Sequence, residues 1–194
     1  MVQRNKDGGC DLSRRVVLGA GLASVPLWGA ASKADDENDP TEILPQAGDH
    51  FVYLVGPKEG QVVKSADLVV GGPQVQVYPA DPKGLVRDGS RLNLVILARI
   101  SASGASPDTT AHAADGVVAY SGVCTHQGCP VNMWLPEKSA FYCSCHGSTY
   151  NPQDGAEVVA GPAPRPLPAL PLKEVDGVLL VAGSFTAPVG ATQS

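Results

Sequence analysis

The chain has 194 residues and a formal net charge of −5. Positive charge forms no block outside the extreme N-terminus, which excludes a nucleic-acid partner. Hydrophobic residues make up 43% and aromatics 5%, beside 22 glycines and 17 prolines. That is too apolar for a disordered chain and too rich in turn formers for a helical bundle, and it points to one small all-β domain with long turns.

In chain order, a basic opening reaches Ser13-Arg14-Arg15 and is followed by an uncharged, mostly apolar run from Val16 to Ala31. Paired arginines directly ahead of such a run read as a twin-arginine export signal over residues 1–32. As a helix the run covers about 24 Å, slightly less than a hydrocarbon core of about 30 Å. Residues 1–32 can stay as an apolar membrane-anchor helix with Trp28 near the outer interface, the soluble domain lying on the periplasmic face, the reading that the family resemblance given below favours. The alternative is cleavage near the small residues Gly29, Ala30 and Ala31, which would release a soluble periplasmic protein. Cys10 precedes the signal and reads as a spare thiol. Residues 33–50, with the acidic run Asp35-Asp36-Glu37-Asn38-Asp39 and prolines at Pro40 and Pro45, read as a flexible tether. The globular domain is expected over residues 51–194.

Within that domain Phe51–Val55 is a short apolar run closed by Gly56-Pro57, a buried strand. Val75–Tyr78 alternates and stops at Pro79, and Leu92–Ile100 is the strongest strand pattern in the chain. Ser101–Asp115 is small and polar, a loop. Val117–Ser121, the stretch Lys138–Tyr142 and Val178–Ala182 supply further strands, and no repeat or long helical period follows the N-terminus.

The chemistry lies on two loops that each follow a strand: Cys124-Thr-His126-Gln-Gly-Cys129 and Cys143-Ser-Cys145-His146-Gly-Ser148. Each cluster supplies one Cys-His pair, at spacings Cys-x-His and Cys-x-x-His. A structural zinc ion accepts two thiolates and two imidazoles, although zinc modules usually pair like with like. The alternative is an iron–sulfur cluster with mixed ligation, in which Cys124 and Cys143 hold one iron and His126 and His146 the other. If these four converge on one centre, Cys129 and Cys145 come close as well and can form a disulfide, which an exported protein permits. In that case Cys143 is a ligand and Cys145 a staple, Cys129 and Cys145 sitting at equivalent places of the two loops.

From Val117 to Val181 the chain resembles the Rieske iron–sulfur proteins, CTHQGC and CSCHGS matching the family's two boxes, including the disulfide pair of the quinol-oxidising type. The resemblance implies a small antiparallel β domain and a 2Fe-2S cluster whose neutral imidazoles place its potential in a range of about −150 to +300 mV. It implies that Ser148 bonds a bridging sulfide and Tyr150 a ligand-cysteine sulfur, both raising the potential. It also implies that Gly161-Pro-Ala-Pro164 is a proline loop covering the cluster from a third side. Ser144 stands where many relatives have proline, and the segment from Lys64 to Asp115 finds no clear counterpart. His50 and His112 read as surface residues, Met133 and Trp134 as packing residues.

By resemblance the chain is the high-potential Rieske subunit of a bc-type, ubiquinol–cytochrome c reductase complex of a respiratory chain. A quinol gives an electron and a proton at His146, and the electron passes to a cytochrome as the head swings on its tether. The alternative is the small electron-transfer subunit of a periplasmic oxidoreductase of the arsenite oxidase type. An oxygenase ferredoxin and a purely structural zinc domain fit less of the pattern.

Overall fold

The computed structural model describes residues 39–191. Ten strands form: β1 (His50–Tyr53), β2 (Val75–Ala80), β3 (Val95–Arg99), β4 (Val117–Ser121), β5 (Met133–Leu135), β6 (Ala140–Cys143), β7 (Ser148–Asn151), β8 (Glu157–Ala160), β9 (Leu172–Val175) and β10 (Val178–Val181). They make two antiparallel sheets, one of six strands in the order β4-β3-β2-β1-β10-β9 and one of four in the order β5-β6-β7-β8. The all-β expectation holds. The anchor helix, the export signal and Cys10 lie outside the described residues, among which no helix is long and apolar enough to cross a membrane.

β3 explains how the sheets meet. Val95, Ile96, Leu97 and Ala98 are all buried, so the strand is covered on both faces and its sequence is continuously apolar. Because side chains alternate across a strand, Val95 and Leu97 join Val117 and Ala119 in one core with Phe51, Val77 and Leu179. Ile96 and Ala98 join Val118 and Tyr120 in a second core with Phe141, Tyr150, Cys124 and Cys143. The β3–β4 pair is thus a shared wall, and the second core, between it and the small sheet, carries the thiols of Cys124 and Cys143. Under them Phe141 sits edge-on to Tyr120 at 6.0 Å and against Trp134 at 5.7 Å.

Several expectations shift. The strand expected over Leu92–Ile100 begins only at Val95, because Ser90 caps a 3₁₀ turn at Arg91–Asn93, its hydroxyl accepting the Leu92 N–H. The loop expected over Ser101–Asp115 contains α1 (Pro107–His112), started by Ser106 as the cap and proline at the first position. The stretch from Lys64 to Asp115, without a clear counterpart in the family resemblance, builds β2 and β3 of the large sheet.

The tether expected over 33–50 is, from Asp39 on, a strap bound to the domain. Asp49 is 1% exposed and pairs with Arg87 at 2.6 Å. Arg87 also donates to the Pro40 carbonyl, and the buried Asn93 donates to those of Thr41 and Ile43. Satisfying these carbonyls removes the freedom that composition alone suggested.

Candidate metal centre

The two ligand loops are built by the same turn. In the first, the Gly128 N–H donates to the Cys124 carbonyl at 2.9 Å, and the Cys124 N–H closes on Cys129 at 2.8 Å. In the second, between β6 and β7, the Gly147 N–H donates to the Cys143 carbonyl at 3.0 Å. Gly128 and Gly147 have φ of 74° and 80°, a backbone that residues with a Cβ rarely adopt, which is why glycine closes each turn.

These turns bring the predicted residues together. Cys129 and Cys145 form a disulfide that joins the loops, with 6.6 Å between their Cα atoms. They are not at equivalent places: Cys129 follows its turn glycine and is half-buried, whereas Cys145 precedes its own and is exposed. The sulfurs of Cys129, Cys143 and Cys145 lie within 4.8 Å of one another, but the disulfide uses two of them. Cys124 and Cys143 remain as thiols, 2% and 1% exposed. The rings of His126 and His146 stand nearly perpendicular, 4.7 Å apart. His126 is half-buried with Nδ1 shut off from solvent and without a partner, while His146 is exposed.

Burial, opposed by the backbone N–H of Cys145 and reinforced by the Cys124 thiol, pushes the Cys143 thiol up. A thiol in such surroundings becomes a thiolate when a cation takes the place of its proton. Tyr150 is fully buried, and its phenol lies 3.1 Å from Cys124 Sγ. Burial first, then that bond, hold its pKa well above the ordinary value, so the phenol keeps its proton to donate. Ser148 is also fully buried, yet its hydroxyl has no partner among the described residues. A buried hydroxyl left unbonded is costly, and together with Nδ1 of His126 it marks bonding capacity that meets no partner among the described residues.

The proline loop closes a third side. Gly161 has φ of 90°, and a Cβ there would lie 2.5 Å from Ser148 Cα and 2.6 Å from the Gly147 carbonyl. On the other flank the Thr125 hydroxyl donates to the Arg165 carbonyl at 2.7 Å. Thr125 was not singled out in the sequence, although it sits inside CTHQGC. Ser144 is exposed and reaches Asn132 only at 3.4 Å. His50 lies on β1, His112 bonds the Asp108 carbonyl at the end of α1, and Met133 is exposed; none belongs to this group.

The model of the Rieske 2Fe-2S domain matches residues 62–171 of this chain. The chain belongs to the Rieske family. The cofactor of this Rieske protein is accordingly a 2Fe-2S cluster, and the residues fit it: two buried thiols, two imidazoles, an unpartnered imidazole nitrogen and an unpartnered buried hydroxyl meet on the two loops. The chain is 32% identical over 188 residues to a cytochrome bc1 complex Rieske iron–sulfur subunit of Streptomyces coelicolor, covering 92% of this chain and 52% of that protein. It is 31% identical over 140 residues to a putative respiratory nitrate reductase Rieske subunit of Haloferax mediterranei, covering 72% of this chain and 60% of that one. The chain thus spans roughly half to three-fifths of the length of these curated relatives. Among solved structures, the soluble domain of Rieske protein II from Sulfolobus acidocaldarius matches with a TM-score of 0.40 and 24% identity over 51% of this chain and 65% of that one.

Proposed function

We propose that this Rieske chain takes an electron and a proton from a quinol and passes the electron to a cytochrome of a bc-type respiratory complex. Cys124 and Cys143 hold one iron in this reading, and His126 and His146 the other. The observation that carries it is the placement of Tyr150 and Ser148: the phenol, kept protonated by burial, lies 3.1 Å from Cys124 Sγ, and the buried Ser148 hydroxyl has no partner among the described residues. Donors placed on cluster and ligand sulfurs favour the reduced, more negative state and raise the potential, as an acceptor of quinol electrons requires.

When bound, the cluster supplies a one-electron acceptor. The chain's own residues do the rest. His146, exposed beside two buried cysteines and a half-buried His126, offers its ring to the quinol hydroxyl. The second core under Cys124 and Cys143 excludes water, and the Cys129–Cys145 disulfide keeps the two loops together. The Streptomyces relative, named as a bc1 complex subunit, supports this reading. So does the twin-arginine pattern, on which residues 1–32 are an export signal retained as a membrane anchor and the domain lies on the outer face.

A second reading draws on the Haloferax relative, named as a nitrate reductase subunit: the small electron-transfer subunit of another periplasmic oxidoreductase, with no quinol contact. An EPR-monitored redox titration of the loaded chain from acid to alkaline pH, with a quinol as reductant in a parallel assay, separates them. A high potential that falls as pH rises, with reduction by the quinol, is the expected outcome. A low, pH-independent potential without reduction by the quinol would favour the second reading, and no iron signal would return the site to zinc.

A further inference from the structure

The segment Thr186–Gly190 lies beyond the residues matched to the family model, 62–171, yet it reaches the first ligand loop. It is fastened at its start by a reciprocal pair, the Thr186 N–H donating to the Ala169 carbonyl at 2.9 Å and the Ala169 N–H to Thr186 Oγ1 at 3.0 Å. At its end Gly190 is buried, and a Cβ there would sit 3.5 Å from Val123, the residue before Cys124. Between these points one guanidinium nitrogen of Arg165, Nη2, donates to the carbonyls of Pro188 at 2.7 Å and Gly190 at 2.6 Å. Bonds from a charged donor are the stronger kind.

The backbone of the same residue faces the other way. Its carbonyl accepts the Thr125 hydroxyl at 2.7 Å, and Thr125, fully buried, stands between Cys124 and His126. Thr125 has one hydroxyl proton, spent on Arg165, and its N–H faces the Tyr150 oxygen at 3.4 Å. Of the neighbours of the Tyr150 oxygen, Cys124 Sγ at 3.1 Å is nearer than the Thr125 N–H and hydroxyl, both at 3.4 Å. Were the Arg165 carbonyl to withdraw, the Thr125 hydroxyl, 3.4 Å from the Tyr150 oxygen, would be released to compete within that network.

We propose that Arg165 is a positioning residue for the redox centre: its guanidinium draws the strap Thr186–Gly190 onto the domain, and its carbonyl, fixed by that anchorage, holds Thr125 and so orders the Cys124–His126 loop and the bond from Tyr150 to Cys124. The inference rests on the reading of Cys124 and His126 as cluster ligands.

The test uses the full-length, cluster-loaded chain and three variants: Arg165→Met, Arg165→Lys, and a chain ending at Phe185. Each is followed by EPR line positions, reduction potential, the rate of cluster loss to a chelator, and thermal midpoint. Arg165→Met and the shortened chain are each expected to lose the cluster about tenfold faster or more, as loss of an outer partner of a metal site does, and to show a lowered potential. Combining the two should add little, because both break one connection. Arg165→Lys should recover part of the loss, its ammonium reaching one carbonyl. Should a variant fail to load, Thr186→Val, which removes one bond of the fastening pair, carries the same expectation in weaker form. Unchanged line positions, potential and cluster-loss rate beside a lowered thermal midpoint would overturn the proposal, as would fully additive effects. A loaded wild-type chain with no Rieske EPR signal would instead overturn the ligand assignment beneath it, and the proposal with it.

Discussion

The phenol of Tyr150, on β7, lies 3.1 Å from the sulfur of Cys124, a residue 26 positions earlier on the first ligand loop. Both are buried, so water does not replace the bond when it is lost. Because the phenol keeps its proton, it donates, and the bond strengthens as negative charge on the sulfur grows. Tyr150→Phe should lower the reduction potential by about 50 mV, the one-electron equivalent of about 1 kcal/mol of differential hydrogen bonding. A redox titration of the loaded variant checks this; an unchanged potential would show that the bond does not distinguish the two redox states.

Gly161 is a second point of control. Its φ of 90° and the backbone of Gly147 and Ser148 within 2.7 Å of any added Cβ leave no room for a side chain. Gly161→Ala should cost about 2 kcal/mol or more and push the proline loop away from the ligand turn. Gly177→Ala is the control: Gly177 has φ of 80° with open space around it, so only the backbone penalty of about 1 kcal/mol should appear. Equal losses in denaturant titrations of the two variants would mean that Gly161 is not held against Ser148.

The Asp49–Arg87 pair fastens the strap before β1, with side chains 2% and 9% exposed. Removing one partner strands a buried charge, so Asp49→Asn or Arg87→Met should each cost about 3–5 kcal/mol. Replacing both with apolar residues should recover much of the loss. Chemical denaturation gives the three values, and limited proteolysis should find the chain near Pro40–Asp49 newly open in the single variants. A double variant as unstable as the sum of the singles would show that the two residues do not act as a pair.

Tyr120 sets an alkaline limit. It is 1% exposed, its hydroxyl donates to the Pro152 carbonyl at 3.0 Å, and burial pushes its pKa up to about 12 from an ordinary 10.0. A pKa raised on folding stabilises the protein fully below the unfolded value and is lost as pH climbs through the folded one. Wild-type stability should therefore fall between about pH 10 and 12, by roughly 3 kcal/mol from this residue. Tyr120→Phe should cost about 1 kcal/mol near neutrality, and its disadvantage should shrink and then reverse as pH rises. Urea titrations of both proteins from pH 8 upward make the comparison; a constant difference would rule out Tyr120 as the titrating group.

The clearest signals in the sequence were local. The boxes CTHQGC and CSCHGS place ligands and turn glycines within a few residues, and the same short-range geometry closes both loops in the structure. The apolar stretch around β3 announced a strand, which the structure buries on both faces. One local signal went unused: Asp176-Gly177, with φ of 52° and 80°, joins β9 to β10 as a tight hairpin, and an Asp-Gly pair between apolar residues is a strong hairpin mark.

What composition alone hid was set by contacts across long stretches of chain. An acidic, proline-broken segment reads as a free tether until Arg87, 38 residues away, is found against Asp49. Nothing in GPAPRPLP tells that Arg165 reaches Pro188 and Gly190, 23 and 25 residues on. By itself the sequence determined the β class, the two cysteine–histidine boxes and the family, because these are carried by residue type and short spacing. Only the tertiary structure decided how the strap is fastened to the domain and how the proline loop and the tail reach the boxes, because burial and the pairing of charges and carbonyls depend on which distant residues the fold brings together.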